Sequence, residues 1–496
     1  EYIQELDTNR SRIMDRWNKR KRTADEYPYE LFEVVHATWQ RLSEADDAEE
    51  LMTLLRQLAL LDPCDIPIEI FTDFRQHLPS LKNHCLVTVS KAKTGGSLVS
   101  VHALTQQVIR EHLMGNARAQ AVGVVVKALR VQMDTFDSDK SETYKNCTCR
   151  AYTAHVKALL AQIGPEATEE VAELAFKTGI FFDKVTSAFA DARDMFERAL
   201  AIRLKLQGDH PDSKGVANCY SRLGSVCGSM GKYAEALEQH ERALAMRTRV
   251  CGQDHPDVAA SYSNIGSVYD SQGRYQEALD YYQKALKIDQ EVHGNDHPDV
   301  ANSYQNIAEI YNKQDRNQEA LAQCDAALTL LIQCHNEHHL DIADLRILMG
   351  KIHCDQQHYA DAKQQYDTAL AIFSTHPDNS RPERRAALQL RIGELAGRQN
   401  NDWDAAADGI TRALTSNGNI FGPQHPSLAE CHCYLAWVEC RRSGGVDVDK
   451  CKAHLLRALE TKFLWTQRSF LTSEDAFASV RQYAWFQSLL DQAGDA

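Results

Sequence analysis

Residues 255–298 read HPDVAASYSNIGSVYDSQGRYQEALDYYQKALKIDQEVHGNDHP, one copy of a unit that the chain repeats. His255-Pro256-Asp257 returns as His297-Pro298-Asp299 and, weakened, as His339-Leu340-Asp341, 42 residues on each time. His210-Pro211-Asp212 stands 45 residues upstream, and His425-Pro426 closes the series. An Ala-Leu landmark keeps step with it at Ala199, Ala243, Ala285, Ala327, Ala369, Ala413 and Ala458, with spacings of 44, 42, 42, 42, 44 and 45. A fixed period of this size means stacked supersecondary units.

Within the unit, a helical hairpin is legible. Pro256 and Pro298 suit the first position of a helix, where a missing N–H costs nothing, and Asp254 or Asp296 before them can cap. The first helix then places Tyr262, Ile265, Gly266 and Tyr269 on one face. Gln272-Gly273-Arg274 makes a turn, and the second helix carries Ala278, Tyr282 and Ala285 along its inner stripe. Gly266, Ala278 and Ala285 are small where the two helices cross, so enlarging any of them should overpack the crossing.

These residues resemble the tetratricopeptide repeat. The pattern continues as Tyr220, Leu223, Gly224, Ala236, Ala243; as Tyr304, Ile307, Ala308, Tyr311, Ala320, Ala327; and as Met349, Gly350, Ala362, Tyr366, Ala369. Looser copies follow at Ile392, Gly393, Ala406, Ala413 and at Leu435, Ala436, Cys451, Ala458, and a degenerate first copy ends Ala192, Phe196, Ala199. The plain repeat has about 34 residues. The longer unit with its HPDVA connector resembles the variant found in kinesin light chains and in many signalling NTPases.

The composition fits such an array. Hydrophobic residues make up 43% and charged residues 25% of 496, which is ordinary for a soluble globular chain with room for two or three domains. A net charge of -14 argues against nucleic acid or an anionic membrane as the main partner. No run of 18 apolar residues occurs, so no membrane span is expected. The opening EYIQELDTNR carries neither an initiator Met nor a signal peptide, which reads as a piece of a longer protein.

Fourteen cysteines contain no C-x-x-C pair. Cys219, Cys227, Cys324, Cys354 and Cys440 fall within repeat helices, where a reduced thiol acts as a small hydrophobe, and a cytoplasmic location follows as the expectation. Cys147/Cys149 and Cys431/Cys433 are two apart, a spacing that points helical side chains in different directions. His335, His338, His339 and Asp341 form a His-rich connector that could bind a metal or simply be a variant turn. No metal site and no catalytic site is assigned, since no nucleophile elbow, H-E-x-x-H or Cys-His pair appears.

Ahead of the repeats, residues 1–47 read as helical, with a basic patch at Lys19-Arg20-Lys21-Arg22 and a second helix from Leu31 to Leu42. The patch is a solvated helix end or a nuclear address. Leu51 to Leu61 is an apolar helix, Ile66-Pro67 starts another in DIPIEIF, and Leu78 to Leu81 sits in a third. Leu86–Val89 and Leu98–Val101 alternate like strands about a KAKTGG turn, and a helix follows from Leu104 to Leu113. Three helices and a hairpin make a winged helix. With 15 Lys/Arg against 18 Asp/Glu over residues 1–120 and no basic stripe, DNA is not the expected ligand.

The runs YPYELFEVVHATWQRLSE, LLRQLALLDPCDIPIEIF and SLVSVHALTQQVIREHL resemble the end of the NB-ARC module of STAND signalling NTPases. That resemblance implies that His102, within Val101-His102-Ala103, contacts the phosphate of bound ADP. No GxxxxGK followed by Ser or Thr occurs in this chain, so it is not expected to hydrolyse ATP. ADP or ATP would enter only with an upstream NTPase module. Tyr152–Leu160 resembles the segment joining winged helix to repeats in the same family, with Thr153-Ala154 in place of its Leu-Pro, and residues 134–141 are a loop.

The expected organisation is predominantly all-α. Residues 1–47 end an NTPase module, 48–114 are a winged helix and 115–190 a helical connector. Residues 191–460 form a superhelical array of about seven repeats counting the degenerate first, and 461–496 a capping helix rich in aromatics. Those aromatics (Trp465, Phe470, Phe477, Tyr483, Trp485, Phe486) cap the array or dock another protein. The repeat resemblance implies that first helices line a concave wall. Its inward positions are Asn218, Ser221, Arg222 and Ser225; Ser263, Asn264, Ser267 and Ser271; Asn302, Gln305, Asn306, Glu309 and Lys313; and Asp344 and Lys351. Short polar side chains of this kind can pair with the main chain of an extended peptide. The expected role is the sensor arm of a STAND-type protein that binds a protein or peptide on this face and packs on its own NTPase module. The alternative is a cargo adaptor of the kinesin light chain kind.

Overall fold

The computed structural model describes residues 35, 38–44, 47–71, 74–83, 86–92, 97–134, 143–163, 167–208, 213–335, 337–376, 381–421, 426–441, 447–461, 468–473 and 477–494. The basic patch at residues 19–22, the helix start at Leu31, His210-Pro211-Asp212, His425, Trp465, residues 93–96 of the strand turn and most of the loop at 134–141 lie outside them. Two compact units result, residues 1–135 with 147–174, and 136–146 with 175–496.

In the first unit, α1 (Ala48–Leu58) is followed by β1 (Ile66–Pro67), α2 (Phe74–Asn83), β2 (Val87–Lys91), β3 (Ser97–Val101) and α3 (Ala103–Val108), which runs on as a π-helical turn over Ile109–Leu113. Two longer helices follow, α4 (Arg118–Asp134) and α5 (Thr143–Gln162). The sheet is antiparallel with order β1-β3-β2, pairing Val89 with Val99 on one side and Ile66 with Val99 on the other. Here Ile66-Pro67 departs from the sequence expectation, forming a short edge strand instead of starting a helix. Pro67 lacks a donor, which an edge strand tolerates, and both residues are buried. Leu51, Leu55 and Leu58 of α1, Val99 of β3, and Val125 and Leu129 of α4 are all buried. The carbonyls at the end of α1 need partners from elsewhere. Gln106 Nε2 donates to Leu58 O at 2.8 Å, and Arg110 Nη1 donates to Ala59 O at 2.8 Å.

Next comes α6 (Glu169–Phe181), and then the second unit is built of helices alone among the described residues. After α7 (Phe189–Gln207) come six hairpins: α8 (Lys214–Ser229) with α9 (Tyr233–Cys251), α10 (Pro256–Ser271) with α11 (Tyr275–His293), α12 (Pro298–Lys313) with α13 (Asn317–Cys334), α14 (Leu340–Asp355) with α15 (Tyr359–Ser374), α16 (Pro382–Asn400) with α17 (Trp403–Phe421), and α18 (Pro426–Arg441) with α19 (Val448–Glu460). The degenerate repeat is legible too. Gly179 of α6 lies against the Phe196 ring of α7, where an added Cβ would come within 2.7 Å.

The close crossings fall at the small residues. A Cβ on Gly266 would meet Tyr282 at 3.0 Å, one on Gly350 would meet Tyr366 at 2.4 Å, and one on Gly224 would meet the His240 ring at 2.7 Å. In the repeat that carries Ala308 instead, the residue at the facing position is the smaller Cys324, and both are fully buried. The prolines do take the first turn of α10 and α12, but the cap is His255 or His297, not Asp254 or Asp296. Each imidazole Nδ1 accepts the backbone N–H two residues on, at 3.1 Å from Asp257 N and 3.2 Å from Asp299 N. With proline at the first helical position, the preceding residue is the cap, and the aspartate lies one residue too far back. His339 repeats the bond to Asp341 N at 3.3 Å.

Among the described residues, three short helices stand where a single capping helix is expected from the sequence: α20 (Arg468–Ser473), α21 (Ala478–Arg481) and α22 (Ala484–Gly494). Leu471, Phe477, Val480 and Phe486 are buried in one cluster with Trp437 and Val438 of α18 and Leu455 of α19. The buried cysteines of the array behave as small hydrophobes, and burial pushes the Cys324 and Cys354 thiols up to about 12.

Candidate peptide-binding face

First helices of successive repeats lie side by side within the second unit, α8 next to α10, α12 to α14, α14 to α16 and α16 to α18. Side chains about one repeat apart meet along this row of first helices, the expected wall. Asn264 Nδ2 donates to Ser221 Oγ at 3.2 Å, bridging α10 to α8. Lys313 Nζ lies 2.7 Å from Asp270 Oδ2, bridging α12 to α10. Asn312 Nδ2 donates to Asp355 Oδ2 at 3.1 Å, bridging α12 to α14. The wall thus stitches its own repeats together.

The expected inward residues divide into two groups. Ser221, Asn264 and Lys313 are engaged in those bridges. Asn218 Oδ1 accepts from Arg247 Nη2 at 2.9 Å, so it is tied to the second helix of its own repeat. Gln305 reaches along its helix to Glu309 at 3.5 Å. Arg222, Ser263, Asn302 and Asn306 make no side-chain hydrogen bond among the described residues; Asn302 is exposed, and the other three are half-buried. Ser267 is exposed but engages the Tyr282 hydroxyl of its own repeat, and Lys351 is half-buried. This second group is what the wall can offer a ligand.

Towards the end of the array the wall becomes a buried ion network that the repeat pattern did not flag. Arg391 Nη1 donates to Glu394 at 2.8 Å and to the Tyr434 hydroxyl at 2.7 Å, while Nη2 reaches Glu430 at 2.7 Å. Arg398 Nε donates to Glu394 at 3.0 Å. Burial would raise the Glu394 pKa, but the two guanidiniums outweigh it and hold the carboxylate below its ordinary range. Asp344 of α14 is the opposite case. Its burial raises the pKa despite Arg384 and Arg381, the latter 2.7 Å away. The signal for this network was available only as Arg391, Glu394 and Arg398 at helical spacing, which equally describes a solvated helix face.

His102, in the first unit, follows the last residue of β3 and is half-buried, and burial lowers its pKa, so the ring is neutral near pH 7. Cys431 and Cys433 are buried in the core that holds Trp437, with the Cys431 thiol pushed up to about 12 by burial.

The tetratricopeptide repeat family matches residues 187–247, 215–291, 257–323 and 299–375, in the same register as the hairpins. The hairpins over residues 187–375 are tetratricopeptide repeats. Among solved structures, the chain is similar to a Signal Transduction ATPase with Numerous Domains (STAND) protein with a tetratricopeptide repeat sensor from Pyrococcus horikoshii. Identity there is 13%, covering 95% of this chain and 68% of that one, with a TM-score of 0.51. It is also similar to a Rap protein complexed with Competence and Sporulation Factor, at 15% identity over 76% of this chain and 97% of that one, with a TM-score of 0.50. A kinesin-light-chain-like protein of nearly identical TPR-like repeats from Podosopora anserina matches at 18% identity over 41% of this chain and 93% of that one, with a TM-score of 0.34. At these identities the likeness is one of fold. No curated protein sequence matches the chain. No helix among the described residues is long and apolar enough to cross a membrane.

Proposed function

We propose that the tetratricopeptide array binds an extended peptide or protein segment along the first-helix wall, as the sensor arm of a STAND-type signalling protein. The observation that carries the binding half is the wall itself. Its repeats are already locked to one another by the Ser221–Asn264 and Asp270–Lys313 bridges, so it meets a ligand preorganised. Asn302 and Asn306, without side-chain partners among the described residues, can each give and accept a main-chain hydrogen bond. The signalling half is supported by the likeness to the Pyrococcus protein over nearly the whole chain. In that reading residues 48–114 are the winged helix of an NB-ARC module, His102 faces a nucleotide held by an NTPase module outside this chain, and the chain itself hydrolyses nothing. The kinesin-light-chain-type adaptor is the second reading, favoured by the 42-residue step and its HPDVA connectors.

The test is a display library of unstructured peptides selected on the full chain. Asn302→Ala with Asn306→Ala should weaken the selected peptides by about tenfold, the loss of one to two net hydrogen bonds, with helical circular dichroism unchanged. Selection of no peptide, or peptides indifferent to both substitutions, would remove the wall from consideration.

A further inference from the structure

The connectors between repeats carry a second pattern that peptide binding does not use. Cys251, His293 and His335 occupy one place, at or next to the end of a second helix. His255, His297 and His339 cap the next first helix, and Asp257, Asp299 and Asp341 follow two residues on. The result is a Cys-or-His, x3, His, x, Asp motif every 42 residues. In each connector one donor atom from each of the three side chains lies within 4.8 Å of the others.

The middle connector is the most complete. Asp299 Oδ2 stands 3.7 Å from His293 Nε2 and 3.5 Å from His297 Nδ1. A tetrahedral ion with ligands at roughly 2.0–2.2 Å needs donors about 3.3–3.6 Å apart, so the two edges from Asp299 to the imidazoles are already near the required length. His293 Nε2 is buried and has no hydrogen-bond partner, an unfavourable state for an imidazole nitrogen that a cation would relieve. Asp299 is half-exposed and pairs with no Lys or Arg among the described residues, which leaves a path and a charge for an incoming ion. The third connector has the same stack of imidazoles, His335 on His339 at 3.9 Å, but Arg381 holds Asp341 Oδ1 at 2.7 Å and brings a competing positive charge. In the first connector Lys214 lies 3.9 Å from Asp257.

We propose that His293, His297 and Asp299 bind a divalent ion of the zinc type, with water completing the tetrahedron, and that the Asp341 connector is a weaker second site. The rings of His293 and His297 are stacked at 4.2 Å and 14°, and coordination places the metal in the plane of each ring. Binding therefore turns one imidazole about its Cβ–Cγ bond. His297 Nδ1 also exchanges the 3.2 Å bond from Asp299 N for the ion. The bound metal joins the end of α11 to the start of α12, fixing the angle between two repeats. This inference is independent of what the wall binds.

The full chain, stripped with chelator, is titrated with Zn²⁺ by calorimetry and with Co²⁺ by visible absorption. The expected result is a tetrahedral Co²⁺ spectrum and a tight first equivalent. His293→Gln and Asp299→Asn should each weaken that equivalent by at least about tenfold, while Arg381→Gln should tighten the second. Zn²⁺ should raise the thermal midpoint of the parent chain and not that of His293→Gln, as binding to the folded state requires. Asp299→Asn keeps the backbone N–H that His297 Nδ1 caps, so its behaviour separates lost coordination from lost folding. An octahedral Co²⁺ spectrum, or Zn²⁺ affinity equal in the parent and in both variants, overturns the proposal.

Discussion

The early and middle joints of the array share a backbone pattern and differ in what fills them. Four residues after the landmark alanine, each second helix turns one side chain into the joint with the next repeat. In the first three joints that residue is Arg203, Arg247 or Asp289, all buried. Arg203 Nη1 donates to Gly215 O at 3.2 Å, Arg247 Nη1 to Ser261 Oγ at 2.8 Å, and Ser303 Oγ donates to Asp289 Oδ2 at 2.9 Å. In the next two joints it is Leu331 and Phe373. Around the polar joints the apolar residues form small separate clusters, such as Val216, Ala217 and Met246, or Val258, Ala259, Ala285 and Ile288. Through the apolar joints one cluster runs unbroken from Ala301 and Ala308 past Leu331, Leu345, Tyr366 and Phe373 to Leu388 and Leu395. From Arg203 to Phe373 the continuity of the core follows this position, whereas at the last joint, where it is the buried Asn417, one cluster still spans α17 and α18. In a solenoid, where stability adds up neighbour by neighbour, the polar joints are where the array should open first.

The largest effect should come from breaking the continuous core. Phe373→Ala is expected to cost about 3–5 kcal/mol, read from urea unfolding of the whole chain. A loss no greater than that of a surface substitution would mean the apolar joints contribute no more than the polar ones. Next come the crossings. Gly350→Ala pushes a methyl group to 2.4 Å from the Tyr366 ring and should cost about 1–3 kcal/mol, whereas Gly266→Ala, at 3.0 Å from Tyr282, should cost less. The gain in helix propensity on replacing glycine, about 1 kcal/mol, offsets part of both. Thermal midpoints in the reverse order would contradict the packing at these two sites.

The smallest effect sharpens the comparison at a polar joint. Burial raises the Asp289 pKa, partly offset by the Ser303 hydrogen bond. A carboxyl raised on folding is neutral in both states at low pH; above the ordinary aspartate range the unfolded chain ionises more readily, so the folded state loses stability as pH rises through the folded pKa. Asp289→Asn keeps an acceptor for Ser303 and removes that loss. It should therefore raise the thermal midpoint by a degree or two at pH 7, on the order of a fraction of a kcal/mol, and leave it unchanged near pH 3. A midpoint that falls at pH 7 would show that the charge itself holds the joint.

Much of this was legible in the chain. The hairpins, their proline starts and the small residues at the crossings follow from local spacing, because a helix places residues three and four apart on one face whatever surrounds it. His255 and His297 as caps were missed because aspartate is the commoner capping residue, and the choice turned on where the proline sets the first turn. Ile66-Pro67 was misread because a two-residue strand has no periodicity of its own and exists only where β3 offers an open edge. The polar positions along the first helices were in the sequence, but not which of them engage one another: Asn264 meets Ser221 43 residues away only once two hairpins have stacked.

What the amino-acid order determined by itself was the repeat: its period, its helices and the residues that let them cross, since each depends on forces acting over one or two turns of chain. What only the tertiary structure decided was the joint. Whether Arg247, Asp289 or Phe373 finds a partner, and whether His293 comes within reach of Asp299, depends on the angle at which one hairpin leans on the next. That angle is set by packing between units, which no single unit contains.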